Sequence, residues 1–342
     1  MLLVAEKSQN RAETSKSDLI TEPIQKQMKF LADFLMKQVE EFEPEVRELV
    51  KYGIEHSGKQ IRPMLVFYSG WQGAETVSED QVKAAAVIEL IHLATLVHDD
   101  VLDEAILRRK THTVNEKYGR NIAVLLGDAL FAQALKVASE FPTVEVCRAV
   151  SESTRRVCTG EIWQTFQQGN PFIDIEQYFH IIKNKTAELF YVSCYLGAKL
   201  GRYNTAFVRA VSDFGYHLGI AYQIYDDLTD FLGEEKSTGK TLGTDVASGK
   251  FTLPLLIYLK TLSREHKEEF LREMKSKDLL DIQSLNQRMV ECGVFDRVEN
   301  YFSHEIKLAE KTLEPFSDYR PVPFLFNLSY FIKLQIRKLM GH

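Results

Sequence analysis

The chain has 342 residues, 45% of them hydrophobic, with 42 Lys and Arg against 48 Asp and Glu for a formal charge of -6. That much apolar material suits one large domain or two ordinary ones and excludes a disordered or low-complexity chain. A pI near 5.9 leaves no basic footprint for nucleic acid, so any anion must be held by locally concentrated cations.

In chain order, the opening MLLVA is too short for a signal-peptide core, and Glu6, Glu13 and Asp18 argue against a transit peptide. Residues 1 to 22 are polar and aperiodic and read as a flexible tail; residues 23 to 342 read as one domain. Ile24 to Tyr52 sets Phe30, Leu31, Phe34, Leu35, Val39, Val46, Leu49 and Val50 at three- and four-residue steps, which predicts an amphipathic helix or a pair of them. The runs Ser78 to Asp103, Ile122 to Glu140, Val144 to Gln168 and Tyr178 to Leu200 behave alike. Strand-like alternation is nearly absent, and Pro63, Pro142, Pro171 and Pro254 fall where helices begin or connect. Gly233 to Gly249 is the one long loop of the body, rich in Gly, Lys, Ser and Thr, and loops of that kind are usually functional. Cys147, Cys158, Cys194 and Cys292 lie far apart with no CxxC and read as buried free thiols of a reducing compartment. No apolar run reads as long enough to span a membrane, so the expectation is a soluble, cytoplasmic protein. The pattern as a whole predicts an all-α, single-domain helical bundle around a central cavity.

Two acidic clusters stand out, HDDVLDEAILRR at 98 to 109 and YQIYDDLTDF at 222 to 231, each containing DDxxD. Residues four apart on a helix differ by about 40° and about 6 Å, so Asp99 and Asp103 point one way, as do Asp226 and Asp230. A lone DDxxD on a surface helix is ordinarily just solvated. Here AAAVIELIHLATLV precedes one cluster and FGYHLGIAYQIY the other, both apolar nearly all round as in helices central to a bundle. Carboxylates ending buried helices need partners, and hard divalent cations are the natural ones. Mg2+ prefers one or two carboxylates with phosphate oxygens and water, which implies a diphosphate held between two acidic walls. Lys59 and Arg62 in GKQIRP, Arg108 and Arg109, Lys185 in NKTAELF, and Lys240 and Lys250 in the Gly-rich loop supply the matching cations.

With these residues in view, the chain resembles the trans-isoprenyl diphosphate synthase (polyprenyl synthetase) family. The resemblance runs from about Gly53 to Pro254 through GKQIRP, ELIHLATLVHDDVLD, RR, LLGDAL, GE with Gln164, KTAELF, GIAYQIYDDLTDF, GKTLGTD and GKFTLP in order. It implies an Mg2+-dependent prenyltransferase that ionises an allylic diphosphate and joins the cation to isopentenyl diphosphate. It assigns Mg2+ to Asp99 and Asp103, with Asp100 supporting, and to Asp226, with Asp227 and Asp230 supporting. By the same carry-over Arg108, Lys185, Gln223, Lys240 and Lys250 bind the allylic diphosphate, while Lys59, Arg62, His92 and Arg109 hold isopentenyl diphosphate. Thr186 matches the residue beside the reacting carbon. The family also implies a homodimer and, for lipid products, transient membrane contact.

Three departures accompany the match: RRKTHT lacks the usual Gly and Pro after the arginines, Tyr222 stands for Phe, and Thr229 replaces an aliphatic residue. Chain length should be set along the helix above the first cluster. Short-chain members carry a bulky aromatic four or five residues before it; here those residues are Thr95 and Ala94, with Ile91 next on the face. That predicts a geranylgeranyl or longer product, with Phe131 and Leu135 on the opposing helix as candidates for a deeper floor. A class I terpene cyclase would leave GKQIRP, His92 and the second arginine unexplained, and a noncatalytic subunit would be expected to degrade one acidic motif. A di-iron bundle, suggested by Glu89 and His92, needs a second Glu-x-x-His that the sequence lacks.

Overall fold

A computed structural model describes residues 21–55, 58–73, 76–233, 243–275 and 281–341. The expected tail falls almost wholly on residues outside this set, but Glu22–Ile24 already forms a 3-10 turn with Ile24 buried. The long amphipathic run is a pair, α1 (Gln25–Glu40) and α2 (Pro44–Glu55). There follow α3 (Ile61–Ser69), α4 (Glu79–Leu102), α5 (Val114–Tyr118), α6 (Arg120–Ser139) and α7 (Val144–Gln167). Then come α8 (Ile175–Ile182), a π turn (Lys183–Ala187), α9 (Glu188–Leu200), α10 (Thr205–Leu232) and α11 (Thr244–Ala247). The chain closes with α12 (Leu253–Thr261), α13 (Arg264–Lys275), α14 (Ile282–Glu291), α15 (Val294–Leu313) and α16 (Val322–Met340). The protein is all-α apart from one short hairpin among the described residues.

The two helices that carry the acidic clusters are the ones most enclosed. Ser78 caps α4, accepting from the Gln81 amide at 3.4 Å, and Asn204 caps α10, accepting from the Phe207 amide at 2.9 Å. α4 packs on α6 and α3, α9 lies between α3 and α10, and α15 covers the outside of α10. The core these helices share includes the fully buried Phe67, Phe190, Phe207, Phe214 and Phe231, each contributing on the order of 1.5–3 kcal/mol of transfer free energy. Both helices run so that their acidic C-terminal ends meet near the same arginine, described below.

Several expectations are corrected. Leu107–Arg108 and Thr111–His112 pair as an antiparallel hairpin, Arg108 opposite Thr111. Its two-residue turn holds Arg109 at φ 53° and Lys110 at φ 66°, the left-handed region that a tight hairpin requires and that glycine occupies without strain. The missing family glycine is therefore replaced by strained backbone. All four cysteines are free thiols as read, but Cys158 is exposed and only Cys194 is buried. Contrary to the sequence reading, α6 is long and apolar enough by composition to cross a membrane; here Ala123, Leu126, Leu130, Ala134 and Val137 bury its inner face.

Candidate active site

Neither α4 nor α10 has a basic residue in its last turn, where the helix dipole favours cations. Three carboxylates end each helix instead, an arrangement that stability alone would not select. Arg108 joins the two ends: Asp100, Asp99 and Asp226 all act on its guanidinium, outweighing burial and holding its pKa above the ordinary arginine value. The π turn links the two ends directly: Lys185 lies 3.5 Å from Asp99, and Thr186 hydrogen-bonds to Gln223, which in turn hydrogen-bonds to Asp227.

Within each cluster the acids have unlike surroundings. Asp100 is 5% exposed and accepts from Arg108 with both oxygens, Oδ1 from Nη2 at 2.7 Å and Oδ2 from Nε at 3.0 Å, a bidentate pair. Asp227 is 3% exposed; its Oδ2 accepts from the Tyr178 hydroxyl at 2.5 Å and its Oδ1 from Gln223 Nε2 at 2.8 Å. The second acid of each DDxxD is therefore turned about 100° off the first, into protein, and already has protein partners. Asp230 accepts from the Thr244 amide and hydroxyl at 3.2 and 2.9 Å and from the Asp245 amide at 3.0 Å, so it pins the start of α11. Asp103 meets Lys250 Nζ with both oxygens at 2.6 Å, which ties the segment after α11 to the first cluster. Lys185 Nζ lies 3.5 Å from Asp99 Oδ2 and also pairs with Glu161. Burial opposes the Lys185 charge, but Asp99 and Glu161 outweigh it and raise its pKa. Among the described residues, no three His, Cys, Asp or Glu side chains converge to hold a metal ion by themselves.

Lys185 and Thr186 ride on the π turn, a wider turn of the kind that recurs at functional sites. Two glycines admit it. A Cβ on Gly160 of α7 would lie 2.6 Å from the Lys185 nitrogen, and one on Gly219 of α10 would lie 2.7 Å from Ala187 Cα. Thr186 is buried and donates to Gln223 Oε1 at 2.6 Å.

Beside this lies a second cationic pocket. Arg62 Nη1 stands 3.0 Å from His92 Nε2. Arginine can only donate, so that nitrogen accepts and the imidazole carries its proton on Nδ1. Burial, then Arg62 and Arg109, push the His92 pKa well down, in agreement with a neutral ring. The Arg62 guanidinium lies over the Phe190 ring at 4.9 Å, and Lys59 Nζ over the Phe331 ring at 5.7 Å. Arg109 reaches across to Gly58, whose Cβ would collide with its guanidinium. Behind them Glu89, 1% exposed, has a buried Oε2 with no hydrogen-bond partner. Burial raises its pKa to about 7 against the pull of Arg62, Arg109 and a hydrogen bond from Gln60.

The structure thus brings together the cations and acids expected at the site, except Lys240, which lies outside the described residues. Tyr178, Glu161 and Glu89 join them: Glu161 was within the quoted GE motif and Glu89 had been noted with His92 in another role, while nothing in sequence marked Tyr178. Of the chain-length residues, Ala94 and Ile91 are fully buried and Thr95 keeps accessible surface, its hydroxyl donating to the His92 carbonyl at 2.7 Å. Leu135 is exposed, and Phe131 lies partly buried with its ring 5.9 Å from that of His98.

An all-α bundle whose two acidic helix ends share an arginine, with a cationic pocket alongside, is the architecture of a prenyl-transferring isoprenoid synthase. A profile of the polyprenyl synthetase family matches residues 43–291. The chain belongs to that family and is a prenyltransferase. It is 36% identical over 242 residues to heptaprenyl diphosphate synthase component 2 of Bacillus subtilis, covering 67% of this chain and 69% of that one. It is 30% identical over 313 residues to a geranylgeranyl pyrophosphate synthase of Geoglobus acetivorans, covering 86% and 93%. A polyprenyl synthase from Caulobacter crescentus, solved in complex with calcium and isoprenyl diphosphate, superimposes with a TM-score of 0.86 at 26% identity, covering 92% of this chain and 97% of that one.

Proposed function

We propose that this prenyltransferase condenses isopentenyl diphosphate with an allylic prenyl diphosphate and releases a trans product of geranylgeranyl length or longer. The observation that carries the reading is the π turn between the two clusters, where Lys185 lies 3.5 Å from Asp99 and Thr186 hydrogen-bonds to Gln223, itself hydrogen-bonded to Asp227. Asp99, Asp103 and Asp226 fit a hard divalent cation, whose remaining coordination diphosphate oxygens and water would supply, as Mg2+ prefers. When bound, Mg2+ supplies charge neutralisation on the departing diphosphate. Arg108, Lys185 and Lys250 bind that diphosphate, and Lys240 belongs with them by its place in the motif; Lys59, Arg62, His92 and Arg109 hold isopentenyl diphosphate. Thr186 faces the allylic carbon as the carbon–oxygen bond breaks, and Gln223 supports it. The isopentenyl double bond attacks the cation, and the released diphosphate takes the proton.

Ile122, Val124 and Leu125 on α6 and Ile162 and Phe166 on α7 are large apolar side chains left exposed, which supports a homodimer. The Bacillus relative is named as a component, so light scattering should decide between a second copy and a different subunit. A cytoplasmic site of action, with passing membrane contact for a lipid product, completes the reading. Asp99→Asn tests it: condensation should fall about 10²–10³-fold, by analogy with removing one group that stabilises developing charge. Calorimetric binding of isopentenyl diphosphate without metal should be unchanged. Wild-type turnover by Asp99→Asn would overturn the assignment.

A further inference from the structure

The two oxygens of Asp227 are occupied in a way that sets the orientation of everything between it and Thr186. Gln223 and Asp227 are one helical turn apart on α10 and share a face; Tyr178 approaches from α8 and Thr186 from the π turn. As a carboxylate Asp227 has acceptors only, so Oδ1 accepts from Gln223 while Oδ2 accepts from the Tyr178 hydroxyl at 2.5 Å. The Gln223 amide must therefore turn Nε2 towards Asp227 at 2.8 Å; a flipped amide would set two acceptors against each other. Its Oε1 is then left as an acceptor for Thr186, which lies 2.6 Å away. Thr186 has one hydroxyl proton, and it is committed.

We infer that Tyr178 and Asp227 are positioning residues that act through Gln223 to turn the Thr186 oxygen lone pairs towards the reacting carbon. The inference rests on the prenyl-transfer reading, in which a cation forms beside Thr186. A threonine free to rotate could donate to a diphosphate oxygen instead. One locked as an acceptor on that side offers electron density to the cation and none of its proton to the leaving group. The arrangement also separates the work of the second cluster: Asp226 stands on the diphosphate side, and Asp227, whose oxygens have protein donors, holds the relay rather than a metal ion. All four members are buried or half-buried, so the hydrogen bonds are shielded from competing water.

The experiment is a kinetic cycle on the full-length protein with Tyr178→Phe, Thr186→Val and the double variant. Tyr178→Phe removes one oxygen and leaves Asp227 Oδ2 without its donor. Turnover should fall about 10–100-fold, the usual cost of losing an orienting partner. KM for both diphosphates should hold, because the cation exists only after binding. In the Thr186→Val background, which has no lone pairs to aim, adding Tyr178→Phe should cost nothing further. Should Tyr178→Phe fail to fold, Asp227→Asn serves: its amide can face Gln223 either way, so turnover should fall with KM preserved. Tyr178→Phe with wild-type turnover, a raised KM in place of a lowered kcat, or a full additional loss in the Thr186→Val background would each overturn the relay. A wild-type protein that condenses no prenyl substrate would instead overturn the reading on which it rests.

Discussion

Gly160 offers the sharpest perturbation of the site without touching a charged group. In Gly160→Ala the new Cβ would stand 2.6 Å from the Lys185 nitrogen and 3.0 Å from both Lys185 Cα and Asn184 Cβ. Ordinary carbon contacts begin near 3.5 Å, so the π turn must retreat by about 0.9 Å. Overpacking of this kind costs about 1–3 kcal/mol, and replacing glycine inside a helix returns about 1 kcal/mol. The net change is small, and the melting temperature should fall by no more than about 5 °C. Function should suffer far more, because the turn carries Lys185 and Thr186, and a displacement near 1 Å at a reacting centre costs about 10²-fold in rate. Steady-state condensation assays beside thermal melts read the two effects separately. A variant that turns over like the wild type would refute the claim that this contact places the turn; one that simply unfolds would refute the stability arithmetic.

Thr95→Phe should shorten the product by at least one isoprene unit, read by chromatography of the dephosphorylated products. Ala94→Phe, at a position without accessible surface, should also lower the melting temperature, in keeping with an overpacking cost of about 1–3 kcal/mol. Glu89 has a folded pKa raised to about 7, so its contribution to stability is full below the unfolded value and is lost as pH rises through about 7. The loss is on the order of 3 kcal/mol. Glu89→Gln lacks this titration, so its melting temperature should gain on the wild type between pH 4.5 and 8, and parallel pH curves would contradict the burial argument. Lys110→Gly relieves a left-handed residue and should stabilise by about 0.5–1 kcal/mol, seen as a higher denaturation midpoint.

The helices were legible because burial leaves a period in the sequence, and α4 and α10 stood out because apolar residues surround them. The acidic clusters were legible as a pair, since DDxxD at both helix ends has few other uses in an apolar setting. The division of labour inside each cluster was only half visible. Helical angles turn Asp100 and Asp227 away from their neighbours, but their partners, Arg108 in the hairpin and Tyr178 on α8, are contacts across the fold that no spacing reveals. The π turn was hidden for a related reason: it interrupts a run whose apolar period continues smoothly from α8 into α9. The hairpin escaped because its strands are two residues each and its turn residues are Arg and Lys, where turn chemistry calls for Gly or Asn. The exposure of Cys158 was missed because apolar neighbours on a helix need not share its face.

The most direct test is to incubate the full-length protein with Mg2+, isopentenyl diphosphate and allylic primers of graded length, then separate the products by chain length. Condensation to geranylgeranyl diphosphate or longer, abolished by chelation of the metal, is the predicted result. No condensation with any primer would contradict the account, and a product that stops at farnesyl diphosphate would contradict its reading of the Thr95 stripe.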